Sequence, residues 1–170
     1  MLLIEEPNVT KLDTYSVRAR RTINSRFAVA VHILTVIADA GGSPVTSDRI
    51  AWSVNTNPSL IRRILSQLTR AGLTRCQMGT GGGALLAKPA TRITLRDAYG
   101  AVADGRLLVL PREQPDPACP VGRNIQALLT ERFDEATRAL EDELARTTIA
   151  DMQYAAAERG RRRGRRRMAG

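Results

Sequence analysis

The stretch from residue 55 to residue 72 constrains the fold more than any other part of the chain. Asn57 followed by Pro58 is typical of a helix start, because the Asn side chain can accept a free first-turn N–H and proline has none to leave unpaired. The apolar residues that follow recur at spacings of three and four, and Gly72 ends the pattern. The segment therefore predicts an amphipathic helix whose inner face consists of Leu60, Ile61, Ile64, Leu65 and Leu68.

Two further helices are predicted before this one. Ser25 can cap a helix with apolar residues at helical spacing from Phe27 to Ala38, which the glycine pair at 41–42 ends. Thr46 is a suitable cap for a short helix over 47–53. Three helices, the last two joined by a tight turn, predict a helix-turn-helix arrangement.

A β-hairpin is predicted after the third helix, with strands over 73–78 and 84–88 and a glycine-rich tip over 79–83. The glycines also match a dinucleotide-binding fingerprint loosely, but no helix follows directly and no acidic residue lies at the required distance. The hairpin is the better account. Thr94 and Asp97 then form a capping box for a helix that runs to Val102.

The second half of the chain contains the longest helical pattern. A proline-rich loop is predicted over 104–120, followed by a helix over 121–146 with more apolar face than a small domain can cover, which indicates a partner helix. Thr148 and Asp151 indicate a break near Thr147 and a short final helix. The apolar stripe of the long helix contains Ile125, Leu128, Leu129, Phe133, Ala136, Leu140 and Leu144.

Charge is distributed unevenly along the chain, whose net charge is +9. Residues 24–103 carry +6, residues 104–157 carry −4 and residues 158–170 carry +6. This partition favours a polyanionic partner for the first domain and for the Arg-rich end. We expect residues 158–170 to be disordered in isolation and residues 1–22 to form a flexible N-terminal arm.

Cysteine content and hydropathy suggest a compartment. Two cysteines in 170 residues do not make a disulfide framework, so a reducing, cytoplasmic location is expected. No apolar stretch reaches the length that spans a bilayer, so we expect no membrane partner.

Several segments resemble, in order, the Rrf-two family of bacterial winged helix-turn-helix transcription regulators. The resemblance covers residues 24–153 and implies a mostly α-helical fold with a small β-hairpin. In this fold a winged helix-turn-helix domain (23–103) precedes a long dimerisation helix region (121–157). It implies a cytoplasmic homodimer that binds double-stranded DNA sequence-specifically, acting as a repressor. The matching segments are 24–34, 57–68, 71–73, 79–89, 93–95, Cys119-Pro-Val-Gly and Thr148-Ile-Ala-Asp.

The DNA-contacting residues follow from this arrangement. Side chains at the start of the second helix of the motif enter the major groove, which nominates Thr56, Ser59, Arg62 and Arg63, although these arginines could also form only a solvated helix face. The wing glycines allow a close approach to the minor groove. Arg26, by resemblance, is a phosphate contact at the first helix. The wing candidates are Gly81, Gly82 and Gly83, with Arg75 and Lys88 as flanking phosphate contacts.

The signal that such a regulator senses is left open. Some relatives hold an iron–sulfur cluster through three cysteines of the loop, but this loop has only Cys119, so neither a cluster nor another metal is expected. Cys119 precedes a helix N-terminus, which favours a thiolate and makes a redox sensor one hypothesis; a packing role is the other. A small-molecule effector in the dimer cleft is a further alternative.

Other function classes fit less well. The chain has one histidine, His32, and no catalytic constellation, so we do not expect an enzyme. His32 is expected to pack or cap within the first helix. Non-specific nucleic-acid binding through the Arg-rich end is another alternative, without the aromatic platform typical of RNA-binding modules.

Overall fold

The chain folds into six α-helices, one 3-10 turn and one hairpin over the residues that the structure, a computed structural model, describes: 24–103 and 107–168. The expected N-terminal arm and residues 104–106 of the expected loop lie outside the described residues. The elements are α1 (Asn24–Asp39), α2 (Ser47–Val54), α3 (Pro58–Arg70), β1 (Thr74–Gln77), β2 (Gly83–Leu86), a 3-10 turn (Ala90–Arg92), α4 (Leu95–Val102), α5 (Pro120–Ala145) and α6 (Ile149–Met168).

An aliphatic core lies between α1, α2, α3 and α4. Ile33 and Leu34 of α1 are fully buried, and α3 contributes three buried side chains. Leu60 and Leu65, which the sequence places on the inner face, are only half-buried because they lie at the edges of a narrower apolar stripe. The fully or nearly fully buried side chains include Ile50, Ile61, Ile64, Leu68, Leu73, Ile93 and Ile149.

Three helix starts follow the predicted caps, whereas Ser25, the expected cap of α1, lies inside that helix, which begins at Asn24. The Asn57 side chain accepts a hydrogen bond from the Leu60 N–H at 2.8 Å, and Thr46 accepts from the Arg49 N–H at 3.3 Å. At α4 both halves of the capping box form between Thr94 and Asp97. These side chains satisfy N–H groups that a helix cannot pair internally, which explains why α2, α3 and α4 begin where they do.

The hairpin is shorter than predicted and is attached to the loop before α2. Its strands are antiparallel, with Thr74 opposite Leu86 and Gln77 opposite Gly83. Val45 extends the pairing, because its N–H donates to the Ala84 carbonyl at 3.0 Å and its carbonyl accepts from the Ala84 N–H at 2.8 Å. A Cβ at Gly83 would lie 2.6 Å from the Val45 carbonyl oxygen, so only glycine permits this approach.

The predicted domain boundaries, with a winged domain over 23–103 and a dimerisation region over 121–157, are wrong for residues 147–157. The chain returns after α5: the Ile149 N–H donates to the Ile93 carbonyl at 2.8 Å, and the Leu95 N–H donates to the Thr147 carbonyl at 2.9 Å. Ile149 is fully buried in the core of the winged domain. Residues 147–157 therefore belong to that domain, because α6 packs on α1.

The expectation of disorder from residue 158 is also wrong, since α6 continues as a helix to Met168. Arginine is a good helix former, and no proline interrupts the segment. Glu158 adds support of the i,i+3 and i,i+4 type by pairing with Arg161 and Arg162.

Candidate nucleic-acid interface

The outer face of α3 is polar and exposed along its whole length. Ser59, Arg62 and Arg63 are exposed near its start, and Ser66 and Arg70 continue the same face one and two turns later. The opposite face is held in the core by Ile61, Ile64 and Leu68. Because the core fixes the rotation of the helix, the polar face points outward as a unit.

The turn before α3 sets the angle between the two helices of the motif. Asn55 ends α2 in the left-handed conformation, with φ of 56°, and the Thr56 N–H donates to the Ala51 carbonyl at 3.0 Å. Thr56 is half-buried in this turn. The Thr56 backbone thus stabilises the turn, and its side chain is less accessible to a DNA partner than those of Ser59 and Arg62.

Arg62 is oriented by a carboxylate of the preceding helix. Its Nη2 lies 3.9 Å from Oδ1 of Asp48, and both side chains are largely exposed. An exposed ion pair contributes about 0–1 kcal/mol, so it can orient the guanidinium without holding it against a stronger anionic partner. The sequence did not indicate this role for Asp48.

A groove of about 470 Å³ joins α3 to the hairpin. It brings the predicted residues Arg62, Arg75 and Gly83 together. Arg70 and Cys76 also line it, and neither was nominated from the sequence. Three arginines thus line one concavity, and arginine can donate bidentate hydrogen bonds to phosphate oxygens and to guanine edges.

The other nominated residues lie outside this groove. Arg63 and Ser59 are exposed on α3, Lys88 is half-buried just after β2, and Arg26 is half-buried in the first turn of α1. Lys88 stays close to the hairpin by chain connectivity, whereas Arg26 is placed by a different element. The strand pattern predicted Arg75 as a site residue. Arg70 could have been predicted as well, because residues eight positions apart on a helix, such as Arg62 and Arg70, lie on the same face.

The wing tip depends on glycine backbone geometry. Gly79 and Gly81 have positive φ values of 95° and 77°. A Cβ on Gly82 would collide with the Gln77 carbonyl oxygen. Met78, 87% exposed beside this tip, is an apolar side chain that the sequence did not single out.

The two cysteines and the histidine occupy separate places. Cys76 lies on β1 and Cys119 at the N-cap of α5, and both are exposed and free. Nε2 of His32 lies 3.1 Å from Oγ of Ser53, so His32 bridges α1 and α2 on the surface. Its predicted packing or capping role is therefore replaced by an interhelical hydrogen bond.

Hydrogen bonding at the start of α6 perturbs the titration of its acidic capping residue. Hydrogen bonds from the Thr148 hydroxyl and backbone N–H, at 2.7 and 2.8 Å, lower the pKa of Asp151. The carboxylate is exposed, so it acts on the helix start and takes no part in the groove.

Comparisons with known proteins agree with this architecture. The Rrf2 family model, described as "Iron-dependent Transcriptional regulator", matches residues 23–155. YwnA of Bacillus subtilis (strain 168), assigned as an HTH-type transcriptional regulator, is 42% identical over 130 residues, which are 76% of this chain and 96% of YwnA.

Two crystal structures extend the comparison. A protein assigned as DNA-binding shares 39% identity, with a TM-score of 0.61 over 75% of this chain and 98% of its own. A protein from Lactobacillus plantarum, assigned as a transcriptional regulator, shares 28% identity, with a TM-score of 0.64 over 85% of this chain and 98% of its own.

The iron in that family description can be tested against the donors of this chain. An iron–sulfur cluster held by three loop cysteines does not fit, because the chain has two cysteines, one on the hairpin and one before α5. Among residues 24–103 and 107–168, no group of three or more His, Cys, Asp or Glu side chains is placed to hold a metal ion. No helix in the same part of the chain combines the length and apolar character needed to cross a membrane.

Proposed function

The chain belongs to the Rrf2 family of transcriptional regulators, and from this premise we propose that it is a homodimeric repressor that reads a duplex operator with α3. Regulators of this family bind DNA and are not enzymes. The observation that carries the proposal is the groove between α3 and the hairpin that Arg62, Arg70 and Arg75 all line.

Each part of the interface has a distinct task in this proposal. Ser59, Arg62 and Arg63 enter the major groove, where arginine can pair with O6 and N7 of guanine. Arg70, Arg75 and Lys88 contact phosphates and set the register. The glycine tip at Gly81 to Gly83 follows the minor groove, because it lacks side chains that would hold the backbone away.

A second copy of the chain is proposed to cover α5. None of the residues in this 26-residue helix is buried, although Leu128 and Val121 are large apolar side chains that are 55% and 67% exposed. The C-terminal half of the helix packs on α4 through Thr137 and its neighbours, so its N-terminal half is the part that needs a partner. A pair of such helices would bury both stripes against each other.

The dimer also sets the operator geometry. Two recognition helices related by a two-fold axis read half-sites about one helical turn, or a multiple of it, apart. We therefore expect an inverted repeat. Leu128→Asp should convert the dimer to a monomer and abolish operator binding at nanomolar protein, whereas Ala127→Asp, which lies off the apolar stripe, should do neither.

The affinity ratio between operator and random duplex tests the function itself. Duplexes selected from a random pool by the full chain should bind roughly 10³-fold or more tightly than random duplex at the same salt concentration. A ratio near one would overturn the proposal of a sequence-specific regulator. It would favour non-specific binding instead.

We propose in addition that the regulator works in the bacterial cytoplasm without a resident iron–sulfur cluster. A protein purified anaerobically should show no cluster absorbance in the visible range and should bind its operator at full affinity. Cluster absorbance that disappears together with DNA binding on exposure to air would contradict this.

A redox-responsive function is the second candidate, and the position of Cys119 favours it. The thiol lies at the N-cap of α5, is exposed and makes no capping hydrogen bond. A peroxide can transfer one oxygen atom to its thiolate, which leaves a sulfenic acid and, after protonation, water. A thiol of a second copy can then displace water to form a disulfide.

The two exposed cysteines allow a matched experiment. Peroxide should weaken operator binding of the wild type and of Cys76→Ser, and should leave Cys119→Ser unaffected. If Cys119→Ser responds as the wild type does, the sensor assignment to Cys119 is wrong.

A further inference from the structure

The end of α6 leaves the folded body beside the helix-turn-helix. Gln153 Nε2 donates to the Ala38 carbonyl at 3.4 Å, which anchors the helix to the end of α1. One turn later Ala156 and Ala157 line a cleft of about 550 Å³ together with Arg49 and Trp52 of α2. A Cβ at Gly160 would meet nothing within 4 Å, so the helix faces open space at this position.

The free part of this helix is strongly cationic. The sequence places seven arginines between 159 and 167, against the single carboxylate of Glu158. That carboxylate is shared, since its Oε1 lies 3.3 Å from Arg161 Nη2 and its Oε2 lies 3.5 Å from Arg162 Nη2. The excess positive charge repels itself at i,i+3 and i,i+4 spacing, so a polyanion that neutralises it would stabilise this end of the helix further.

The segment begins close to the surface that reads DNA. Arg49, which borders the cleft with Ala157, is next in sequence to Asp48, and Asp48 pairs with Arg62 of α3. Residues 160–168 add about 14 Å of helix, at about 1.5 Å per residue. The arginines therefore follow a part of α6 that borders α2, and α2 in turn contacts α3, the helix that we propose to read bases.

We propose that the arginine-rich end of α6, represented in the described side chains by Arg159, Arg161 and Arg162, is a second DNA-binding element that contacts backbone phosphates of duplex DNA flanking the operator. The proposal rests on the function proposed above and adds a longer, sequence-independent contact to it. Phosphates fit this surface because arginine pairs with them in bidentate geometry. In addition, a regular array of positive charges on the helix matches the regular array of phosphates along duplex DNA.

The salt dependence of binding measures these contacts directly. In the full chain, Arg159→Gln, Arg161→Gln and Arg162→Gln together should reduce the slope of log affinity against log salt concentration by about 0.9 for each phosphate that is no longer neutralised, up to about 2.7 per chain. The same three positions changed to lysine should keep most of the slope. The ratio between operator and random duplex should change little, since phosphates carry no sequence information.

Duplex length supplies an independent readout. Extending a minimal operator by about one helical turn on each side should tighten binding of the wild type and of the lysine variant, but not of the glutamine variant. Gly160→Ala, which favours the helix at a position with free space, should tighten binding of the long duplex further.

The outcomes separate this inference from the proposed function. If the wild type discriminates its operator but the glutamine variant keeps the same slope and the same length dependence, the inference about α6 is wrong and the regulator proposal stands. If the wild type binds single-stranded RNA or anionic vesicles through these arginines more tightly than flanked duplex, the duplex assignment is overturned. If the wild type shows no operator preference, the proposed function itself fails.

Discussion

Asp48 pairs with Arg62, the arginine that we propose to contact bases, and removing the charge of Asp48 should strengthen DNA binding. The carboxylate lies 3.9 Å from Nη2 of Arg62, with the two side chains 74% and 62% exposed. At this exposure the water dielectric applies, and two unit charges at this distance attract by about 1 kcal/mol. DNA has to compete with this attraction for the guanidinium, and it also meets the carboxylate as a like charge.

Asp48→Asn should therefore tighten operator binding by up to about fivefold at low salt, because about 1.4 kcal/mol corresponds to a tenfold change in affinity. Fluorescence anisotropy with a labelled operator duplex measures the affinity at about 50 mM and at about 200 mM salt. The gain in affinity should be smaller at the higher salt concentration, because salt screens exposed charges. Asp142→Asn, the same change of charge on the exposed side of α5, is the matched control.

The reasoning is refuted if Asp48→Asn tightens binding no more than Asp142→Asn. It is also refuted if Asp48→Asn weakens binding, because the carboxylate would then be needed to place Arg62. The selected base sequence tells these two results apart: a misplaced Arg62 changes the preferred base, whereas an unrelated charge does not.

Three further predictions concern the fold that supports the interface. Ile149→Ala, at a fully buried position, should lower the free energy of unfolding by about 2–5 kcal/mol in urea titrations. Tyr154→Ala, on the exposed side of α6, should lower it by under about 0.5 kcal/mol. Equal effects of the two substitutions would contradict the packing of α6 on the winged domain. Gly83→Ala should cost about 1–3 kcal/mol because its Cβ would meet the Val45 backbone, and Gly100→Ala, which has free space inside α4, should be neutral or stabilising. The pKa of Asp151 is lowered in the folded state, so the stability that its carboxylate contributes is present above the unfolded-state pKa and is lost as pH falls through the folded-state pKa. In thermal melts below about pH 4, Asp151→Asn should lack this part of the loss of stability. If Asp151→Asn and the wild type lose stability identically over this range, Asp151 is not a stabilising cap.

Features governed by neighbouring residues could be predicted from the sequence. Asn57 and Pro58 start α3 through contacts within one turn, and Thr94 and Asp97 form their capping box in the same way. The glycine tip and the break before Ile149 also follow from local rules. The mostly α-helical class with one small hairpin is confirmed for this reason.

Features that depend on distant residues could not be predicted. Ile149 pairs with Ile93, 56 positions earlier in the chain, so periodicity alone assigned it to the dimerisation region. The attachment of the hairpin to Val45 and the groove shared by Arg70 and Cys76 likewise arise from packing of separate elements. Low complexity suggested disorder for the Arg-rich end, whereas helix propensity and the shared Glu158 carboxylate favour a continuous helix.

Selection of duplexes from a random pool tests the central claim, that α3 reads the operator, most directly. The wild-type chain should recover an inverted repeat, and Arg62→Ala and Arg63→Ala should each lose one base preference per half-site at a cost of about 1–3 kcal/mol. Arg75→Ala, a phosphate contact in this account, should weaken all sequences equally. If both α3 variants recover the wild-type sequence with unchanged affinity, α3 is not the recognition helix.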